Sequence, residues 1–558
     1  MLKPFDLQAL SIFLCIKVAL VTDPCMGSGH ILVYAFDVLM DIYRSVGYTD
    51  RDAVQSIVQN NLYGLDIDDR AAQLAYFAVM MKACEYDRRF LRRGVQPHVC
   101  AIAESAPLAE LSPFGAEKAL AQTLLDTFRD AKEYGSILHV PLSLADIRRL
   151  ADRTAALQSG QHDTLLAMAD NAQAAAAVQP LLLQAQILAR QYDAVITNPP
   201  YMGASGMGAR LSEYVKTNYP DSKSDLFAVF IERCGDLLDE KGYQGMITQH
   251  AWMFLSSFER LRAKLQKEEM INMAHLGPRA FEEIGGEVVQ TTAFVLQKHH
   301  LQGYKGCYAR LIEPTTQDGK EAMFLAETNR YTAQQDNFSK IPGAPVAYWV
   351  SEKLIDNFEK GISIDDISDF TGSQHKTADN DRFLRYFWEL INSKIGKGNQ
   401  WAYYAKGGEY RKWYGNITLC VCTTKEAMEF YKNNPTSNCL DSKYWFTEGI
   451  TYSAVTSKGT GFRYYPPIGA FDIGGATICY IKHFWYILAL LNSKIAETVF
   501  QFLNPTINLQ IKDVKAMPVL WSTDEEKVSA LAKNQSEISQ IDWDSFETSW
   551  NFRKHPMI

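Results

Sequence analysis

No two of the ten cysteines form a CxxC pair; the nearest neighbours are Cys420 and Cys422. That scatter excludes a disulfide framework and a cysteine-based zinc site, and it reads as reduced cytosolic thiols. An excess of positive charge is missing too. Fifty-six Lys and Arg stand against 64 Asp and Glu, a formal net charge of −8. This excludes a uniformly basic nucleic-acid binder, but not a local basic groove. The apolar stretch from Leu10 to Val21 is too short to span a membrane, is broken by Lys17, and lacks a small-residue cleavage site. Lys17 to Thr22 reads instead as the first core strand. What is present is a globular composition, 47% hydrophobic over 558 residues. The length predicts two or three domains.

The most informative stretch is Tyr192-Asp193-Ala194-Val195-Ile196-Thr197-Asn198-Pro199-Pro200-Tyr201. An apolar strand runs straight into Asn-Pro-Pro-Tyr. Each proline fixes its own φ and pushes the preceding residue toward extended geometry, so the loop is stiff. It presents an amide, bare carbonyls and an aromatic ring at a strand's end. The amide oxygen and a carbonyl can accept from the two N–H bonds of a planar amine, and the ring can stack on its plane. A strand ending in an ordinary Pro-rich turn is the alternative.

Upstream, the β-prone Val18 to Thr22 leads into Asp23-Pro24-Cys25-Met26-Gly27-Ser28-Gly29-His30, and Ile31 to Tyr43 carries helical apolar spacing. A Gly27-x-Gly29 turn lets a ligand approach the backbone closely. A dinucleotide site wants a third glycine and an acid about 20 residues on, and neither is present. The next strand, Leu62 to Leu65, ends in Asp66-Ile67-Asp68, with Asp66 37 residues after Gly29. An acid before the turn and another at a second strand end suit S-adenosylmethionine: Asp23 near the cationic methionine part, Asp66 accepting from the ribose hydroxyls. Pro24, Ser28 and Ile67 complete this set, and the small Cys25 suits the turn without being a nucleophile.

Asp-Pro-x-x-Gly-Ser-Gly, then Gly-Leu-Asp-Ile-Asp, then Asn-Pro-Pro-Tyr, in this order, resembles the amino-methylating DNA methyltransferases of the γ arrangement. Longer strings resemble the adenine-specific methyltransferases of bacterial BREX phage-defence systems: DPCMGSGHILVYAFDVL (23–39), LLDTFRDAKEYGSIL (124–138), KSDLFAVFIERC (223–234), DNDRFLRYFWE (379–389), YAKGGEYRKWYGN (404–416) and NPTINLQIKDVKAMPV (504–519). The resemblance implies an S-adenosylmethionine cofactor, no metal, double-stranded DNA as partner beside other BREX defence proteins, no membrane, and a bacterial cytoplasmic setting. It implies catalytic roles for Asn198, Pro199, Pro200 and Tyr201, with Asn198 favouring adenine over cytosine. Phe281, in Arg279-Ala280-Phe281, stands where the family places an aromatic on the other face of the target base; a phenylalanine entering a strand can equally be core. Glu104, after a third strand at His98 to Ala103, stands where an acid meets the cofactor's adenine; an exposed acid is the alternative. Relatives carry a helical region before the first strand and continue beyond a string like SWNFRKHPMI (549–558), so the chain reads as truncated at both ends. A non-catalytic DNA-binding or scaffold subunit, and the methyltransferase half of a combined restriction–modification enzyme, remain alternatives.

The expected fold is α/β: a Rossmann-like methyltransferase with a doubly wound, mostly parallel sheet over 1–340. It carries a helical insertion at about 105–190, to which no chemistry is assigned. An amphipathic helix is expected at Ser224 to Asp239, a fifth strand at Gly245 to Thr248, and strands at Met270 to Leu276 and Val288 to Gln297 closing the sheet. A mixed α/β target-recognition domain follows over 346–520, then the start of a helical region at 521–558. Residues 371–470 hold 13 Lys and Arg against 8 Asp and Glu. There Lys406, Arg411, Lys412, Trp413 and Tyr414 interleave cations with aromatics, the means of touching phosphates and bases; the alternative is a Tyr-rich β-domain with a solvated rim. Ala378 replaces a glycine usual in relatives, so a left-handed position there would be strained.

Overall fold

The computed structural model describes residues 19–558, except 109, 160–164, 282–288, 371–373, 456–458, 505–507 and 556. Residues 1–16, the expected strand start at Lys17 and Val18, and Val288 lie outside the described residues. The chain divides into two compact units, Met1–Asp336 and Asn337–Ile558.

In the first unit, β1 (Val21–Asp23) is buried at all three positions. So short a strand is held from both edges. Val21 and Thr22 pair in parallel with Leu62 and Tyr63 of β2 (Leu62–Asp66) and with Ala194 and Val195 of β4 (Tyr192–Thr197). β3 (His98–Ala101) adds beyond β2 and β5 (Leu238–Gln249) beyond β4, again in parallel. Helices α1 (His30–Ser45) and α2 (Asp69–Tyr86) connect the first strands. Their apolar stripes, Leu32-Phe36-Met40 and Ala75-Val79-Ala83, close one core against them. Between β3 and β4 run α3 (Lys118–Thr127), α4 (Leu144–Ser159) and α5 (Leu165–Ala189). After β4 come α6 (Ala209–Asn218) and α7 (Leu226–Leu237).

Beyond β5 the sheet turns antiparallel through β6 (Glu269–Pro278) and β7 (Gln290–Gln297), giving the order β3-β2-β1-β4-β5-β7-β6-β8-β9. Two expectations need correction. The sheet does not close at β6 and β7: β8 (Gly306–Arg310) pairs in parallel with β6, and β9 (Arg330–Ala333) covers β8. These are short segments without a long apolar period. Helix α7 is buried around nearly its whole circumference rather than amphipathic. Its two buried charged residues, Glu232 and Arg233, are satisfied by partners. Arg233 donates to the carbonyls of Leu138 (2.8 Å) and Leu188 (3.2 Å), and Glu232 accepts from Ser222 Oγ (2.8 Å) and pairs with Lys264 (2.5 Å).

Among the described residues the second unit builds two four-stranded sheets and one strand pair. Its strands in chain order are β10 (Ile362–Ser363), β11 (Asp369–Phe370), β12 (Leu384–Tyr386), β13 (Trp401–Ala405), β14 (Leu419–Cys422), β15 (Gly449–Tyr452), β16 (Phe462–Tyr465), β17 (Gly469–Phe471), β18 (Thr477–Cys479) and β19 (Pro518–Val519). The orders are β11-β18-β15-β16 and β12-β14-β13-β17, with β10 against β19. Helices α8 (Phe484–Leu491), α9 (Lys494–Leu503) and α10 (Glu525–Asp544) bring Leu488, Phe500 and Val528 to the larger core. Among the described residues no helix is long and apolar enough to cross a membrane.

Candidate active site

From β1 the chain passes through α1 to β2 on one side, while β4 pairs on the other. The carboxyl ends of β1 and β4 therefore flank a topological switch point, where open α/β sheets bind ligands. Asp23 ends β1, 1% exposed. Its Oδ1 accepts from Thr197 Oγ1 at 2.7 Å and from the Cys25 amide at 3.0 Å. Its Oδ2 is buried without a hydrogen-bond partner among the described residues. Burial lifts this carboxyl to about 7, against the pull of the Thr197 and Cys25 donors; the Asp66 charge adds to the rise. Burial, and then the nearby Asp23, also push the Cys25 thiol up, so it stays neutral.

The turn that follows is built on two left-handed glycines. Gly27 (φ 53°) donates its amide to Asp66 Oδ2 at 2.8 Å, and a Cβ placed on it would meet nothing within 4 Å. Its outer side is open to an approaching molecule. Gly29 (φ 87°) has no such room: a Cβ there would stand 2.9 Å from Ala75 Cα, where α2 crosses. Ser28 between them is half-buried. Asp66 Oδ1 accepts from the Asp68 amide at 2.9 Å, so Asp66 ties the turn to the end of β2. Asp68 in turn caps α2 through the amides of Arg70 (2.7 Å) and Ala71 (3.0 Å).

The helical insertion, to which the sequence alone assigns no chemistry, braces the loops at these strand ends. Ser136 donates its hydroxyl to the carbonyl of the buried Pro24. Lys132 Nζ donates to the carbonyl of the exposed Ile67 (2.7 Å) and pairs with Asp69 (3.0 Å), and its amide donates to Glu104 (3.2 Å). Glu104 is exposed on this rim. Lys132 and Ser136 both stand in the string 124–138; its helical spacing hid them among a solvated face.

At the end of β4, Thr197 is buried, Asn198 exposed, Pro199 buried, Pro200 exposed and Tyr201 half-buried. Tyr201 folds back, its hydroxyl 3.5 Å from Asn198 Oδ1 and 3.4 Å from the Ile247 carbonyl; its ring meets Phe227 edge-on at 6.1 Å. Burial pushes its phenol up to about 12. Asp225, missed in the sequence, holds the loop beyond. It accepts from the amides of Met202 (3.1 Å) and Phe227 (3.3 Å). Where β5 and β6 end, His250 Nδ1 lies 2.9 Å from His275 Nε2. Burial lowers these rings to about 4 and about 3, so both are neutral at pH 7 and one N–H serves the pair. Phe281 sits half-buried in the turn after β6.

In the second unit the expected basic-aromatic stretch is engaged internally. Lys406 lies 3.7 Å from Asp472. The Arg411 guanidinium pairs with Asp542 at 3.2 Å and lies over the Trp543 ring at 5.0 Å. Lys412 Nζ donates to the Asn492 carbonyl at 2.8 Å. Trp413 packs against the larger core, and Tyr414 is 1% exposed. Tyr414 is therefore a core residue rather than a DNA contact, and the cations around it hold the unit together.

Residues 60–281 match the Eco57I restriction-modification methylase family. The adenine-specific methyltransferase PglX of Lacticaseibacillus casei (strain Zhang) is 39% identical, covering 96% of this chain and 47% of the relative. The adenine-specific methyltransferase BrxX of Escherichia coli O9:H4 (strain HS) is 38% identical with the same coverage, 96% and 47%. The chain thus spans about half the length of the curated relatives it matches. The solved Type IIL restriction-modification enzyme MmeI, in complex with DNA, shares the fold at a TM-score of 0.51 and 11% identity, over 98% of this chain and 68% of that one. The methylase match spans β2, β4 and the Asn-Pro-Pro-Tyr loop, and along 96% of its sequence this chain is similar to the adenine-specific methyltransferases PglX and BrxX.

Proposed function

We propose that the chain is the catalytic part of a DNA methyltransferase that moves a methyl group from S-adenosylmethionine to the exocyclic amine of adenine in duplex DNA. Its setting is a BREX-type phage-defence system in the bacterial cytoplasm, with other proteins of that system as partners. One observation carries the reading: the Thr197–Asp23 hydrogen bond (2.7 Å) fixes the glycine turn and the Asn-Pro-Pro-Tyr loop side by side at adjacent strand ends.

The residues present suit S-adenosylmethionine. A buried carboxylate oxygen without a partner suits a cation, Gly27 leaves an open approach, and the α1 N-terminus favours a carboxylate. When bound, the cofactor supplies an electron-poor methyl group on a sulfonium. Asp23 balances that charge from a buried position, where attraction is stronger. Asp66 keeps lone pairs for the ribose hydroxyls, while Ile67 and Glu104 border the cofactor's base. The target adenine must leave the helix, because its amine is otherwise out of reach. Asn198 Oδ1 and the Pro199 carbonyl accept its two amino hydrogens, turning the nitrogen lone pair toward the methyl group. Pro200 keeps the loop stiff. Tyr201 leaves Asn198 to stack on one face of the base, and Phe281 takes the other. Positioning supplies most of the rate. The second unit reads the target sequence.

The test is N6-methyladenine, measured by mass spectrometry in digested duplex DNA after incubation with S-adenosylmethionine. The parent forms it. Asn198→Ala forms none, yet binds the cofactor within about tenfold of the parent, ~1.4 kcal/mol. Cofactor binding by the parent without transfer to any DNA would overturn the proposal in favour of a scaffold subunit.

A further inference from the structure

The string 379–389 and the loop after it expose what the stretch 401–414 keeps inside. Tyr386 ends β12, an edge strand, and Trp388 follows two residues later. Their rings stack at 4.5 Å with planes 6° apart, yet Tyr386 is 45% and Trp388 53% exposed, and Ile391 beyond them 65%. None of these side chains belongs to the core of the sheet. Phe387, Leu390 and Ile395, interleaved with them, supply the contacts to the core of this sheet. The backbone is fixed as well: the Phe387 amide donates to the Thr418 carbonyl at 3.0 Å, and Glu389 accepts from the Tyr386 amide at 2.7 Å. A parallel ring pair held rigidly in solvent costs hydrophobic free energy that a partner would recover.

The charges say which partner. Residues 376–400 carry five cations (Lys376, Arg382, Arg385, Lys394, Lys397) against three acids (Asp379, Asp381, Glu389), in a chain of net charge −8. Two of those acids are spent on backbone amides, Glu389 on Tyr386 and Asp379 on Arg382 (3.0 Å). Arg385 is pinned to carbonyls of its own turn. Arg382 is exposed, its guanidinium 4.7 Å from the Phe383 ring centre. Lys394 and Lys397 are exposed in the loop, and among the described residues no ion pair takes Arg382, Lys394 or Lys397. In contrast, Lys406 and Arg411 have carboxylate partners. Unpaired cations close in sequence to exposed flat rings match a polyanion that also carries apolar flat surfaces.

We propose that the Tyr386–Trp388 stack, with Arg382, Lys394 and Lys397, is the surface by which the second unit grips duplex DNA. This rests on the DNA methyltransferase reading. The rings lie against sugars and base edges, and the three cations meet phosphates, which position the protein without specifying sequence.

The test uses the full chain and a fluorescently labelled DNA duplex, with anisotropy titrations at several salt concentrations and cofactor affinity measured alongside. Trp388→Ala weakens DNA binding about tenfold, and Trp388→Phe, which keeps a flat ring, restores most of it. The double change Lys394→Gln with Lys397→Gln flattens the slope of log K against log salt by about two. Cofactor affinity stays at the parent value in all three. DNA binding by the parent that none of these changes alters would overturn the proposal and point to a protein partner for this surface. A parent that binds cofactor but no duplex at low salt would remove the DNA reading itself, and this proposal with it.

Discussion

Thr197 Oγ1 donates to Asp23 Oδ1 at 2.7 Å, 174 residues away in sequence and one strand away in space. Both side chains are buried, and Thr197 precedes Asn198 in the chain. The bond therefore transmits the position of one motif to the other. Thr197→Val keeps the shape and removes the donor, leaving the Asp23 carboxylate with the Cys25 amide alone. A hydrogen bond to a charged group contributes about 1.5–3 kcal/mol, so denaturant unfolding at pH 8, where Asp23 is mostly ionised, should show a loss in that range. Methyl transfer should fall by more than cofactor affinity does, because Asn198 is displaced. Unchanged stability and transfer would reduce the bond to incidental packing.

The pH dependence of stability carries a signature of Asp23. Its folded carboxyl titrates at about 7 and its unfolded one near 3.8, so the folded state holds the proton more tightly. The stability it contributes is fully present below pH 4 and is lost as pH rises through 7. His250 and His275 work in the opposite sense. Their folded values are lowered, so their contribution is lost as pH falls through about 4 and about 3. The measurement is therefore a difference: unfolding free energy of the parent minus that of Asp23→Asn, from pH 4 to 8. It should decline with rising pH. A flat difference would mean that water reaches Asp23 freely.

The motifs were legible because each is a short run whose residues act together. Asp23, Gly27 and Gly29 lie within one turn, and Asn198 to Tyr201 within one loop. The alternation of strand and helix placed both at strand ends. Burial was not legible in the same way. Tyr403 and Tyr404 are neighbours in β13, and both are buried because sheet and loops cover the two faces. Tyr414 and Trp388 are both large aromatics with one polar handle, and only the fold decides that one ring is buried and the other exposed. Glu232 and Arg233 gave α7 a polar stripe in sequence, while their partners, Lys264 and the carbonyls of Leu138 and Leu188, come from segments far along the chain. Lys132 and Ser136 stayed hidden for the same reason.

Asp66 has a structural duty beside any contact to a ligand. Asp66→Ala leaves the Gly27 and Asp68 amides without their acceptor and frees the glycine turn from β2. Cofactor affinity, by isothermal titration, should fall at least about tenfold, ~1.4 kcal/mol, while affinity for DNA is unchanged. Asp66→Asn keeps an oxygen for one amide and should lie between. A cofactor affinity equal to the parent's in Asp66→Ala would remove this strand end from the site.

Ala378 offers a gain rather than a loss. Its φ is +61°, in the left-handed region where a Cβ crowds the following carbonyl at roughly 1–2 kcal/mol. The surroundings over-determine the conformation. Thr377 Oγ1 donates to Asn380 Oδ1 at 2.7 Å, Asp379 caps the next turn through the Arg382 amide, and Lys376 exchanges backbone hydrogen bonds with Asn438 at 2.8 and 2.9 Å. The strain is thus stored between two anchored segments and cannot relax by shifting one of them. Ala378→Gly removes it. Glycine loses more freedom on folding, which offsets part of the gain, so the net stabilisation should be about 0.5–1 kcal/mol. Because the loop leads into β12 and Trp388, DNA affinity measured on the same variant reports whether the strain also sets the pose of the aromatic stack. A variant that is less stable than the parent in denaturant unfolding would show that the alanine methyl packs favourably enough to outweigh its backbone cost.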